Sequence, residues 1–104
     1  MTALNTLGII GLGQIGASLA LAARKAGAAS RILGFDSDPA AQDYCREQGM
    51  IDDTATPETM ARECELVILA VPPAALGAVA TRVLDHAGED TIVTDVASIK
   101  EPIL

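Results

Sequence analysis

The chain has 104 residues, half of them apolar, with a mean hydropathy of +0.36; that is room for one domain with a buried core, and too apolar for a disordered segment. Its 14 acidic and 7 basic residues give a formal charge of −7, and no basic run is longer than Arg24-Lys25. This argues against nucleic acid or an anionic membrane surface as a partner, since both need clustered Lys and Arg, and it requires any anionic ligand to be held by local backbone donors.

Met1 to Leu7 carries no basic residue and no long apolar run, so it does not read as a signal peptide. Leu7 to Gly11 (LGIIG) is a short apolar run closed by glycine, the pattern of a buried strand. From Gln14 to Ala26, Ile15, Leu19, Ala22, Ala23 and Ala26 recur at helical spacing, and Gly27 supplies a stop. Arg31 to Asp36 reads as a second strand. Asp38-Pro39 opens a second helix, with Asp38 as N-cap, running to about Gln48 and stopping at Gly49.

Met50 to Ala55 fits a short strand or an irregular link. Thr56-Pro57-Glu58 repeats the cap-proline-acid start of a helix. Leu66 to Val71 (LVILAV) is continuously apolar, which predicts a central parallel strand covered on both faces. Leu76, Ala80, Val83 and Ala87 mark another helix and Thr91 to Asp95 a further strand; Ala97 to Leu104 starts an element that is not completed. The expectation is an α/β fold with a doubly wound, mostly parallel sheet, truncated after its fifth strand. Phe35 and Tyr44 are the only aromatics, so the core is aliphatic. Cys45 and Cys64 form no CxxC or Cys/His cluster, which predicts reduced thiols in a cytoplasmic protein and no metal site. No apolar run approaches the ~18 residues of a membrane span.

Gly11-Leu12-Gly13-Gln14-Ile15-Gly16 closes a predicted strand and opens a predicted helix, and that context gives a GxGxxG pattern its Rossmann meaning. Gly11 permits the tight turn, Gly13 lets a pyrophosphate approach the backbone, and Gly16 lets the helix lie against the strand. The N–H groups of the first turn, Gln14 and Ile15 included, then hold the anion with the helix dipole. Asp36 follows Gly16 by 20 residues, at the end of the second strand, where a carboxylate accepts from the adenosine ribose; the alternative is a simple strand-end aspartate. No arginine immediately follows Asp36 to receive a 2′-phosphate, so NAD rather than NADP is expected.

Val71-Pro72-Pro73 takes the chain out of the sheet at the carboxyl edge. Val71 and Pro72 read equally as a rigid wall beside the nicotinamide end and as a proline-capped helix start, and both can hold. Ser98 and Lys100 follow the fifth strand at the same edge; Ser98 is either a helix N-cap or a group that meets substrate. His86, the only histidine, sits late in a helix where a cation suits the dipole, and a catalytic role for it is not favoured.

Leu7 to Ala20, Gly34-Phe35-Asp36, Leu66 to Pro72 and Thr94 to Lys100 (TDVASIK) together resemble the prephenate dehydrogenases, including the arogenate and cyclohexadienyl types. Ala97 departs from the glycine often found there. The resemblance covers nearly the whole chain and only the N-terminal, nucleotide-binding half of such an enzyme. It implies NAD-dependent oxidative decarboxylation of prephenate or arogenate in tyrosine biosynthesis, in a cytoplasmic homodimer when full length. It also favours Ser98 near the substrate hydroxyl, and expects a histidine and a substrate-binding arginine beyond Leu104. The alternatives are another Rossmann dehydrogenase, of the β-hydroxyacid or pyrroline carboxylate reductase type, and a non-catalytic dinucleotide-sensing module.

Overall fold

A computed structural model describes residues 4–96. In chain order the elements are β1 (Leu4–Ile10), α1 (Gln14–Ala26), β2 (Ala29–Phe35), α2 (Pro39–Glu47) and β3 (Asp53–Thr54), then α3 (Pro57–Glu63), β4 (Leu66–Leu69), α4 (Pro73–Leu84) and β5 (Ile92–Asp95). The sheet order is β3-β2-β1-β4-β5, and every pairing is parallel, more uniform than the mostly parallel expectation.

Two apolar layers hold the sheet. On one face Leu7, Ile9 and Ile32 pack with Ala20 of α1, Cys45 of α2 and Ile51. On the other, Ile10, Leu33, Val67 and Leu69 pack with Met60 and Ala61 of α3 and Val83 of α4. The chain therefore winds outward from β1 to β3, returns across the opposite face, and winds outward again. The reversal lies between β1 and β4, and in such folds ligands sit at the carboxyl ends of the strands beside that switch.

The helix signals hold. Gly27 ends α1 in a left-handed conformation, Asp38 caps α2 by accepting from the Ala40 N–H, and Thr56 caps α3 by accepting from the Thr59 N–H. Met50 to Ala55 contains the short β3, and Asp52 anchors it by accepting from the Ile32 N–H at 2.7 Å.

Three expectations are corrected. β1 begins at Leu4 rather than Leu7, because the backbone ladder to Ala29 and Arg31 extends it; the Glu65 carboxylate accepts from the Asn5 and Thr6 N–H groups. β4 ends at Leu69 and is fully covered on one face only. Val67 and Leu69 are buried, while Leu66 and Ile68 are half-buried, because α1 and α2 lie over β1 and β2. α4 ends at Leu84 rather than reaching Ala87, so His86 lies just past it, its Nδ1 3.0 Å from the Arg82 carbonyl oxygen. The element expected from Ala97 onward, Ser98 included, lies outside the described residues.

Candidate functional site

The carboxyl ends of β1 and β2 and the segment after β4 enclose a cavity of about 480 Å³, lined by Ile10, Gly11, Gly13, Phe35, Asp36, Ser37, Val71, Pro72, Ala75, Val79 and Arg82. That size suits a small-molecule ligand. The elements converge there because of the glycine turn. Gly11 has φ +99°, and a Cβ on it would lie 2.4 Å from the Ala70 carbonyl oxygen. At Gly16 a Cβ would lie 1.7 Å from the Gly11 carbonyl oxygen, so α1 presses directly on the turn.

Gly13 differs from both. It is exposed and extended, and a Cβ on it would meet nothing within 4 Å. It is also the N-cap of α1, with no side-chain cap and no acidic residue in the first turn. The N–H groups at the start of a helix have no intrahelical acceptor, so those of Gln14, Ile15 and Gly16 form an uncapped, electropositive end. Gln14 and Ile15 are exposed there.

Asp36 stands immediately after β2. Its Oδ2 accepts from the Leu12 N–H at 2.7 Å and its Oδ1 from the Asp38 N–H at 2.8 Å. The Gln42 side-chain oxygen accepts from its N–H at 3.0 Å. Asp38, the competing carboxylate, is committed to capping α2 at 3.0 Å from the Ala40 nitrogen. Val71 and Pro72 line the cavity while Pro72 also caps α4, so a wall and a helix start coincide in the same residues.

One charged lining residue has no counterpart in the sequence reading. Arg82 comes from the last turn of α4, distant in sequence from Asp36, and no local motif marks it. Its Nε and Nη2 donate to the two Glu58 carboxylate oxygens at 2.7 and 2.9 Å, and its guanidinium carbon lies 5.9 Å from the centre of the Phe35 ring. No arginine immediately follows Asp36 in sequence, but Arg82 lines the same cavity. Glu58, held by that fork, has its carboxyl lowered to about 2.

The two thiols lie elsewhere. Cys45 and Cys64 are buried in the two core layers and unpaired; burial raises both, Cys64 to about 11, so neither is a reactive thiolate. Among the described residues no group of His, Cys, Asp and Glu could hold a metal ion, and no helix is long and apolar enough to cross a membrane.

A doubly wound parallel sheet with a glycine turn, an uncapped helix and a carboxylate at the switch point defines a dinucleotide-binding Rossmann domain. Residues 19–104 match the family described as prephenate dehydrogenase, nucleotide-binding domain, and the chain belongs to that family. It is 31% identical to a cyclohexadienyl dehydrogenase of Zymomonas mobilis, over 100% of this chain and 36% of that protein. The prephenate dehydrogenase of A. aeolicus, solved with hydroxyphenyl propionate and NAD⁺, superposes with a TM-score of 0.82 at 26% identity, over 90% of this chain and 34% of the other. Synechocystis arogenate dehydrogenase superposes with a TM-score of 0.80 at 26% identity, over 93% and 36%. The chain thus spans about a third of the length of these relatives.

Proposed function

We propose that residues 1–104 form the NAD-binding domain of a dehydrogenase acting on prephenate or arogenate, in the tyrosine branch of aromatic amino acid synthesis. The observation that carries this reading is the convergence, on one cavity, of the uncapped α1 end at Gly13 and the Asp36 carboxylate. The cavity residues fit the cofactor: at Gly13 no side chain stands in the way of a pyrophosphate, and no side chain caps the donors beside it. The names of the relatives, and the NAD⁺ held by the A. aeolicus enzyme, support the same reading.

When bound, the nicotinamide supplies a hydride acceptor. The chain's own residues position it. Gly11 shapes the turn, and the first-turn N–H groups after Gly13, from Gln14 to Gly16, bind the pyrophosphate. Asp36 accepts from the adenosine ribose hydroxyls, and as an anion it repels a 2′-phosphate, which favours NAD over NADP. Val71 and Pro72 wall the cavity on the side of α4. Ser98, three residues after the end of β5 in sequence, is the group we assign to the substrate hydroxyl. The substrate is a small cyclohexadienyl acid, and the whole enzyme a cytoplasmic homodimer.

Two measurements test this. The chain should bind NAD⁺ in a calorimetric titration. The enzyme that contains it should form NADH from prephenate or arogenate, with kcat reduced in Ser98→Ala while its melting temperature stays unchanged. NAD⁺ binding without turnover of either acid would refute the substrate assignment.

A further inference from the structure

Because the 2′ position of the ribose belongs to Asp36, the base attached to that ribose must lie beyond it, on the side of the cavity away from the glycine turn. Beside the glycine turn, Asp36 and Val71-Pro72, the cavity lining includes four further side chains that could meet the base: Phe35, Ser37, Val79 and Arg82. Three are neutral and the fourth is a planar cation whose orientation is set by a two-point ion pair. Glu58 grips it through Nε and Nη2, and Phe35 lies beneath it at 5.9 Å.

We infer that the Glu58–Arg82 pair is a platform for the adenine ring, on which the guanidinium presents its flat face to the purine. The proposal rests on the dinucleotide reading and adds a base-recognition residue to it. Guanidinium planes stack on aromatic rings where an ammonium cannot. The fork to Glu58 does two things. It holds the plane in place before the base arrives, and it sets a second carboxylate beside the only cation that lines the cavity among the described residues. An arginine free of such a partner would receive a 2′-phosphate and offset the repulsion from Asp36. Paired with Glu58 it contributes its face, and its charge is spent on the carboxylate. Glu58 is thus a positioning residue that acts through Arg82 to keep the site selective for NAD.

The test is calorimetric titration of NAD⁺ and NADP⁺ into the full chain and its Arg82→Ala, Arg82→Lys and Glu58→Gln variants, each checked by thermal unfolding. Arg82 is about half exposed, so its replacement leaves both core layers intact. Arg82→Ala should weaken NAD⁺ about three- to thirtyfold, the range of a cation–π contact from exposed to desolvated. Arg82→Lys should lose part of that affinity, because it keeps the charge and discards the plane. Glu58→Gln should raise the ratio of NADP⁺ to NAD⁺ affinity. If wild type binds NAD⁺ while Arg82→Ala binds it equally well, or Arg82→Lys retains full affinity, the platform is refuted and the dinucleotide reading stands. If wild type binds neither cofactor, both fall.

Discussion

The Leu12 N–H donates to Oδ2 of Asp36 across 2.7 Å, so the carboxylate that faces the cavity also ties the glycine turn to the end of β2. Its Oδ1 accepts from Asp38 in the same way. Each carboxylate oxygen can accept twice, which leaves a lone pair on both for ribose hydroxyls. Asp36→Ala should therefore act twice. NAD⁺ affinity should fall by one to two orders of magnitude, from the loss of a charged hydrogen bond of ~1.5–3 kcal/mol, and NADP⁺ affinity should fall less. Stability should also drop by about 1–3 kcal/mol, because the Leu12 N–H loses its acceptor. Denaturant unfolding and calorimetry on the same variant separate the two effects; an unchanged unfolding midpoint would show that the tie to Leu12 contributes nothing.

Gly16 carries a different kind of constraint. The obstacle to a Cβ there is the Gly11 carbonyl oxygen at 1.7 Å, a backbone atom that cannot swing aside. Gly16→Ala should destabilise by about 3 kcal/mol or more, at the upper end for overpacking. Gly77→Ala, in α4, is the matching control. A Cβ there meets nothing within 4 Å, and the change should stabilise by about 0.5–1 kcal/mol. Urea midpoints for the two variants check both signs.

The glycine turn and the place of Asp36 at the end of β2 were legible because the signal for each is local: six consecutive residues, and a fixed separation of one helix and one strand. The caps at Asp38 and Thr56 were legible for the same reason. Asn5 and Thr6 were not, because a parallel ladder is made by backbone groups and can extend into polar residues. The apolar run of β4 overstated its cover, since hydrophobicity reports what a strand can bury and not which helices arrive. Arg82 and Glu58 meet only through the packing of α4 on α3, and nothing in the residues around either announces the other.

Arg82 also makes a prediction about acid. Its hydrogen bonds are the largest cause, ahead of a backbone hydrogen bond at Glu58 itself, of a Glu58 carboxyl lowered from 4.5 to about 2. A carboxyl depressed in the folded state stabilises the fold above its unfolded value, and that contribution is lost as pH falls through the folded value. The stability difference between wild type and Arg82→Gln should therefore be constant above about pH 4.5 and shrink toward pH 2. Asp52 titrates in both proteins and cancels in the difference: burial raises its carboxyl, but the Ile32 N–H and Arg24 outweigh that and lower it. Urea unfolding between pH 2 and 6 measures the difference; no change below pH 4.5 would mean that the pair is not formed in solution.

At the edge of the sheet, β5 pairs only with β4 among the described residues, and Ile92 on it is 65% exposed. Leu84, at the end of α4, is 59% exposed and lines a groove with Val93 of β5. An apolar edge strand is a template for association. The chain should self-associate as its concentration rises, and Ile92→Lys should suppress this with little loss of stability. Light scattering that shows a monomer for both proteins at high concentration would contradict the expectation.

The central claim is that the end of α1 is an anion site awaiting a pyrophosphate, and Gly13→Asp tests it most directly. The position is open and extended, and the helix has neither a side-chain cap nor an acidic residue in its first turn. An aspartate there should cap the free N–H groups and favour the dipole, adding about 0.3–1 kcal/mol of stability. The same carboxylate should occupy the cradle and repel the incoming phosphates. Calorimetric titration of NAD⁺ into wild type and Gly13→Asp, with melting temperatures recorded alongside, gives the decision. The account predicts binding by wild type, and a loss of at least about a hundredfold in a variant that melts at the same temperature or higher. Equal NAD⁺ affinity in the two proteins would contradict it.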